Sequence, residues 1–114
     1  MKSRVEELTL DIFPDSFDVP SVILLSKDSC HLCRKLKPIY NKISKIDKYE
    51  IYNFYMIDTE DQPLVSVHFK TDGVPTIYVV YEDEGVEIPY PKDPPESGYG
   101  EEDITNFLDE LMEE

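Results

Sequence analysis

No segment of this 114-residue chain approaches the roughly 20 consecutive apolar residues that a membrane span needs. The first residues, Met1-Lys2-Ser3-Arg4-Val5-Glu6-Glu7, also lack the uninterrupted apolar stretch of a signal peptide, so the expected compartment is the cytosol. Basic residues are scarce: 11 Lys and Arg face 25 Asp and Glu, for a formal charge of −14. That balance excludes nucleic acid and anionic membrane surfaces as natural partners. Cysteine and histidine are scarce too, at two each, which leaves few residues from which to assemble a tetrahedral zinc site. There is no internal repeat and no low-complexity tract. An ordinary hydrophobic content of 40% argues against wholesale disorder, and the length suits one domain rather than two.

The pattern along the chain alternates strands and helices. Residues 1–20 form an N-terminal extension in which Val5, Leu8, Leu10, Ile12 and Phe13 would serve either a short helix or an edge strand. Val22-Ile23-Leu24-Leu25 is a short continuous apolar run, consistent with a strand buried on both faces. From Cys30 to about Lys48 the spacing predicts a helix, with Leu32, Leu36, Ile39, Ile43 and Ile46 in one apolar stripe and Pro38 expected to kink it. Ile51 to Ile57 reads as a strand and Asp61 to Phe69 as a short helix with Pro63 in its first turn. Thr76 to Tyr81 reads as a strand, Glu82 to Gly85 as a turn and Val86 to Pro89 as the returning strand. Four prolines and two glycines make Pro89 to Gly100 a loop, and Ile104, Phe107, Leu108 and Leu111 mark an amphipathic terminal helix. Its first turn carries Glu101, Glu102 and Asp103, which suit the positive end of a helix dipole. This order indicates an α/β fold with a sheet flanked by helices.

Charge is unevenly placed. From Glu82 onward thirteen acids face one base, Lys92, while from Arg34 to Lys48 six bases face one acid, Asp47. Either block would serve as a solvated surface; the basic helix would also raise the local potential for a thiolate or an acidic partner. Of the eight tyrosines, Tyr40, Tyr52, Tyr55, Tyr78 and Tyr81 fall on expected helix or strand and read as packing residues, while Tyr90 and Tyr99 flank the proline-rich loop.

The two cysteines form Cys30-His31-Leu32-Cys33, at the start of the first helix. Such a pair is a redox dithiol, half of a metal site, or incidental. At 3.6 residues per turn, Cys30 points roughly 160° from the centre of the apolar stripe and Cys33 lies nearer its edge. Cys30 would be the exposed thiol, its anion stabilised by the unpaired N–H groups and dipole of the helix N-terminus. Cys33 would be the shielded thiol that resolves a mixed disulfide formed at Cys30. A metal reading has only His31 and His68 to complete the set, and His31 faces away from the stripe. Redox chemistry is therefore the preferred reading. A protonated His31 beside Cys30 would favour the reduced form; a solvent-facing His31 would have little influence.

The ordered set of features resembles the thioredoxin family: a Cys-x-x-Cys after a buried strand, a proline five residues later (Pro38), Met56-Ile57-Asp58, Gly73-Val74-Pro75-Thr76 before a strand, a hairpin, and Ser97-Gly98 ahead of the last helix. The resemblance runs from about Val22 to the C-terminus, giving a thioredoxin-like domain at 21–114. It implies a thioredoxin fold, with a central mixed β-sheet flanked by helices. It also implies an enzyme, a thiol–disulfide oxidoreductase with Cys30 and Cys33 catalytic and His31, Leu32, Val74 and Pro75 on the substrate-binding surface. The proline matching Pro75 is cis in that family and lies against the active-site disulfide. Lacking an N–H, it leaves the backbone of Val74 free to pair with an extended substrate segment. Protein disulfides are the implied substrates, with recycling by a reductase or a small thiol. No cofactor is implied, and a monomer is expected.

Three departures stand out. The family's tryptophan before the first cysteine is Ser29, and its buried acid in the preceding strand is Leu24; a water or another carboxylate, Asp58 or Asp28, could substitute. Gly-Pro between the cysteines is replaced by His31-Leu32. These motivate a competing expectation, a thioredoxin-fold adaptor whose redox activity is secondary and whose acidic face binds a basic partner. A glutaredoxin-like oxidoreductase is the sibling alternative, but the Gly-Gly turn of that family has no counterpart in Tyr81-Glu82-Asp83-Glu84-Gly85.

Overall fold

The computed structural model describes residues 5–8, 19–27, 29–61, 75–81, 84–87 and 100–112. They form five strands, β1 (Val5–Glu7), β2 (Ser21–Ser26), β3 (Asn53–Asp58), β4 (Thr76–Tyr81) and β5 (Glu84–Glu87), and two helices, α1 (His31–Ser44) and α2 (Glu101–Met112). The sheet order is β1-β3-β2-β4-β5. β1 and β2 run parallel to β3, β4 is antiparallel to β2, and β5 is antiparallel to β4, so the sheet is mixed. The ambiguous N-terminal stretch supplies an edge strand.

β2 is the central strand, and all six of its residues are buried. Its neighbours satisfy the backbone on both edges and the sheet is covered on both faces, which is why its sequence is continuously apolar rather than alternating. Val22 and Leu24 face a cluster with Leu36, Tyr40 and Ile43 of α1, Phe54 of β3, Ile77 of β4, and Ile104 and Leu108 of α2. Ile23 and Leu25 face the other way, with Leu8, Ile57 and Val80.

The structure moves several boundaries. α1 ends at Ser44, and the Lys45 and Ile46 amides donate to the Lys42 and Ile43 carbonyls, tightening the last turn. A 3₁₀ turn follows at Asp47–Tyr49. The chain is still turning at Tyr52, whose N–H donates to the Tyr49 carbonyl, so β3 begins at Asn53 rather than Ile51. α1 continues through Pro38, which is exposed, so the missing N–H lies on the solvent side. In the hairpin, Tyr81 pairs with Glu84 and Val80 with Gly85, so the returning strand starts two residues before the expected Val86. An edge strand tolerates the acidic residues that had suggested a longer turn. The helix expected at 61–69 and the loop expected at 89–100 lie outside the described residues, Asp61 and Gly100 apart.

Tyrosines bind the layers together. The buried Tyr40 hydroxyl lies 2.8 Å from the Val22 carbonyl oxygen and 2.7 Å from that of Tyr55, tying α1 to β2 and β3. Tyr52 donates to the Leu108 carbonyl at 3.2 Å, and Tyr49 to Asp109 Oδ1 at 2.8 Å, seating α2. Lys42–Glu101 (2.9 Å) and Lys48–Asp109 (3.1 Å) join the basic block to the acidic C-terminal segment. Part of each charge block is thus spent on the other, although exposed pairs of this kind contribute little stability.

Candidate functional site

Tyr40 decides how α1 presents its cysteines. A tyrosine is buried readily only where its hydroxyl finds an acceptor, and two backbone carbonyls supply one here. The buried residues of α1 are Cys33, Leu36, Tyr40, Ile43 and Ser44, while Leu32 and Ile39 are only half-buried. The buried face is therefore turned by roughly 70° from the stripe read in the sequence, at 3.6 residues per turn. Cys33 consequently sits within that face rather than at its edge, fully buried. Cys30 falls at its margin and is half-exposed.

Cys30 is the N-cap residue of α1, in extended conformation (φ −86°, ψ 116°). Its Sγ accepts a hydrogen bond from the Cys33 N–H at 3.1 Å, in the way a serine or aspartate oxygen serves an N-cap. The two cysteines are joined as a disulfide, with Cα atoms 5.2 Å apart. Opened, the same geometry would leave a helix-terminal N–H directed at the Cys30 sulfur, which stabilises a thiolate.

The loop before α1 is fastened on both sides. Cys30 N–H donates to the Lys27 carbonyl at 3.1 Å, and Ser29 Oγ donates to Glu60 Oε1 at 2.9 Å. Asp58, at the end of β3, is buried, and its Oδ1 accepts from the amides of Glu60 (2.9 Å) and Asp61 (3.1 Å). Through Oδ1 it caps the turn that follows β3. Leu24, at the position of that acid, is fully buried in the apolar cluster beneath α1. In the sequence Ser29 stands out as a departure from the family pattern, and Asp58 as part of Met56-Ile57-Asp58 and a candidate for the missing acid. An aspartate at a strand end, followed by Thr59-Glu60-Asp61, was the available signal for the turn.

His31 is the first residue of α1 and is exposed; Leu32 is half-buried. Pro75 is buried, one register step beyond the last β2–β4 pair, Leu25 with Thr76. It therefore lies at the end of the sheet from which the cysteine loop departs. Val74, Asp28 and His68 lie outside the described residues. Among the described residues no three His, Cys, Asp or Glu side chains gather to hold a metal ion. None of the described helices is long and apolar enough to cross a membrane.

A half-exposed cysteine at a helix start, bonded to a buried one on a central β-α-β unit, defines a thioredoxin-type site. The thioredoxin family profile matches residues 11–108, and the chain belongs to the thioredoxin family. A thioredoxin of Borreliella burgdorferi is 34% identical over 64 residues, covering 55% of this chain and 53% of that one. The match thus spans about half the length of that relative. The thioredoxin of Malassezia sympodialis (Mala s 13) superposes with a TM-score of 0.79 at 17% identity, over 96% of this chain and 91% of that one. Thioredoxin from Trypanosoma brucei brucei gives 0.76 at 13% identity, over 96% and 92%. These two likenesses establish the fold, a mixed sheet flanked by helices. The family membership and the Cys30–Cys33 disulfide place a thiol–disulfide pair of the thioredoxin type at the start of α1.

Proposed function

We propose that this chain is a protein-disulfide oxidoreductase of the cytosol, working as a monomer through Cys30 and Cys33. The observation that carries this reading is the asymmetry of the pair: Cys30 half-exposed at the N-cap, Cys33 buried behind it. In the reduced protein the Cys30 thiolate attacks one sulfur of a substrate disulfide. That S–S bond breaks, and its electron pair leaves with the other substrate sulfur, which takes a proton. Cys33, as thiolate, then attacks the Cys30 sulfur, expelling the second substrate thiolate and closing the Cys30–Cys33 disulfide. Two electrons pass to the substrate, and a reductase or a small-molecule thiol returns them. His31 and Leu32 border the attacking sulfur, and Val74 and Pro75 are assigned to the substrate segment.

Reduced protein is expected to cleave insulin disulfides in a turbidity assay. Cys30→Ser should abolish this, and Cys33→Ser should accumulate a mixed disulfide visible by mass spectrometry. Undiminished turnover in Cys30→Ser would refute the reading. A second reading, a thioredoxin-fold adaptor, is favoured by the apolar Leu24 beneath the site. It would be established if a chain with both cysteines changed to serine kept full biological activity.

A further inference from the structure

Ser26 closes β2, is 1% exposed, and its hydroxyl has no hydrogen-bond partner among the described residues. A buried hydroxyl left unpaired is costly and rare, so its surroundings matter. By strand alternation the Ser26 side chain lies on the same sheet face as Leu24, the face covered by α1. β2 runs toward the cysteine loop and α1 runs back from it. Leu24 and Leu36 belong to one cluster. A step from Leu24 to Ser26 advances about 6.6 Å along a strand, and one from Leu36 back to Cys33 about 4.5 Å along a helix, in the same direction. Ser26 and Cys33 thus form the next layer above Leu24 and Leu36, and neither is reached by solvent. Asp58, the cross-strand partner of Ser26, accepts the Glu60 and Asp61 amides through Oδ1.

We propose that the Ser26 hydroxyl is a positioning residue that hydrogen-bonds Cys33 only when the disulfide is open, and so sets the redox equilibrium of the pair. The proposal rests on the redox reading above. A disulfide sulfur carries no proton to donate, whereas a thiol donates to the serine oxygen and a thiolate accepts strongly from its O–H. Reduction of the pair by two glutathione thiols, which yields two cysteine thiols and glutathione disulfide, therefore gives Ser26 a partner that it lacks among the described residues of the oxidised protein. The unpaired hydroxyl penalises the disulfide form alone. Removing it stabilises the disulfide and makes the protein a stronger reductant. The buried-hydroxyl penalty corresponds to about a tenfold change in the equilibrium constant, or about 30 mV for a two-electron couple.

The test equilibrates the unaltered protein, Ser26→Ala and Ser26→Thr in glutathione redox buffers and reads the disulfide fraction from thiol alkylation and mass. Ser26→Ala should shift the equilibrium about tenfold toward disulfide, with Ser26→Thr, which keeps the hydroxyl, staying near the unaltered protein. A Ser26→Ala value within twofold of the unaltered protein overturns the proposal, as does a Ser26→Thr value shifted as far as the alanine one. Insulin reduction separates the two readings. It persists if only the role of Ser26 is wrong, and it is missing from the unaltered protein if the oxidoreductase reading is wrong.

Discussion

Tyr40→Phe removes one oxygen from the centre of the molecule and leaves the ring where it is. The ring still packs edge-on against Phe54, with centroids 5.7 Å apart, so no cavity opens. What is lost is the hydroxyl shared between the Val22 and Tyr55 carbonyls. The net worth of such a bond is about 1–1.5 kcal/mol, against a total stability of about 5–15 kcal/mol for a domain of this kind. At neutral pH the melting temperature should fall by about 4–8 °C. Burial holds the Tyr40 hydroxyl protonated well above the usual tyrosine range, while the unfolded chain ionises near pH 10. A group with a raised folded pKa gives stability that is complete below the unfolded value and is lost as pH rises toward the folded one. The unaltered protein therefore loses about 1.4 kcal/mol per pH unit above 10 on account of Tyr40, and the phenylalanine variant does not. The gap between the two should close by about pH 11. Tyr49, Tyr52 and Tyr55 are also raised by burial but are common to both chains, so they cancel. Urea unfolding followed by circular dichroism at pH 7, 9, 10.5 and 11 measures this. Equal stability at pH 7, or a gap that widens above pH 10, would refute the reasoning.

Two further outcomes concern the seating of α2. The Tyr49 hydroxyl, and after it Lys48, hold the Asp109 carboxyl below its ordinary range. A lowered folded pKa gives stability that is present above the unfolded value near 4 and lost as pH falls through the folded one. Asp109→Asn should therefore flatten the acid-unfolding profile between about pH 4 and 2, and an unchanged profile would show that the contact contributes nothing. Lys42→Ala breaks an exposed pair with Glu101, so its cost should be below about 1 kcal/mol and vanish in 1 M salt. A cost that persists in high salt would mean that the lysine stem, not its charge, is what matters.

Most elements of the sheet were legible because their residues repeat at the period of the structure they form. Val22 to Leu25, Tyr78 to Val80 and Ile104 to Leu111 all sit where their apolar spacing put them. Boundaries were less legible. Ile51 and Tyr52 have strand-forming side chains, yet they continue a turn because Tyr49 and Tyr52 are anchored to α2 by their hydroxyls. Such an anchor depends on a partner more than fifty residues away, which no local window contains.

Taken alone, the sequence determined the family pattern, the Cys30–Cys33 spacing at a helix start, and the lack of an acid at Leu24. The cysteine spacing and the helix start follow from short-range order, which chain connectivity conveys, while the family pattern and the missing acid follow from the resemblance. Tertiary structure decided how far α1 turns on its axis, because the Tyr40 hydroxyl must find the Val22 and Tyr55 carbonyls. That rotation buries Cys33 within the core face and leaves Cys30 at its margin. It decided that Asp58 caps a turn and that Ser26 lies buried with no hydrogen-bond partner among the described residues, since both depend on what neighbouring strands bring across the sheet.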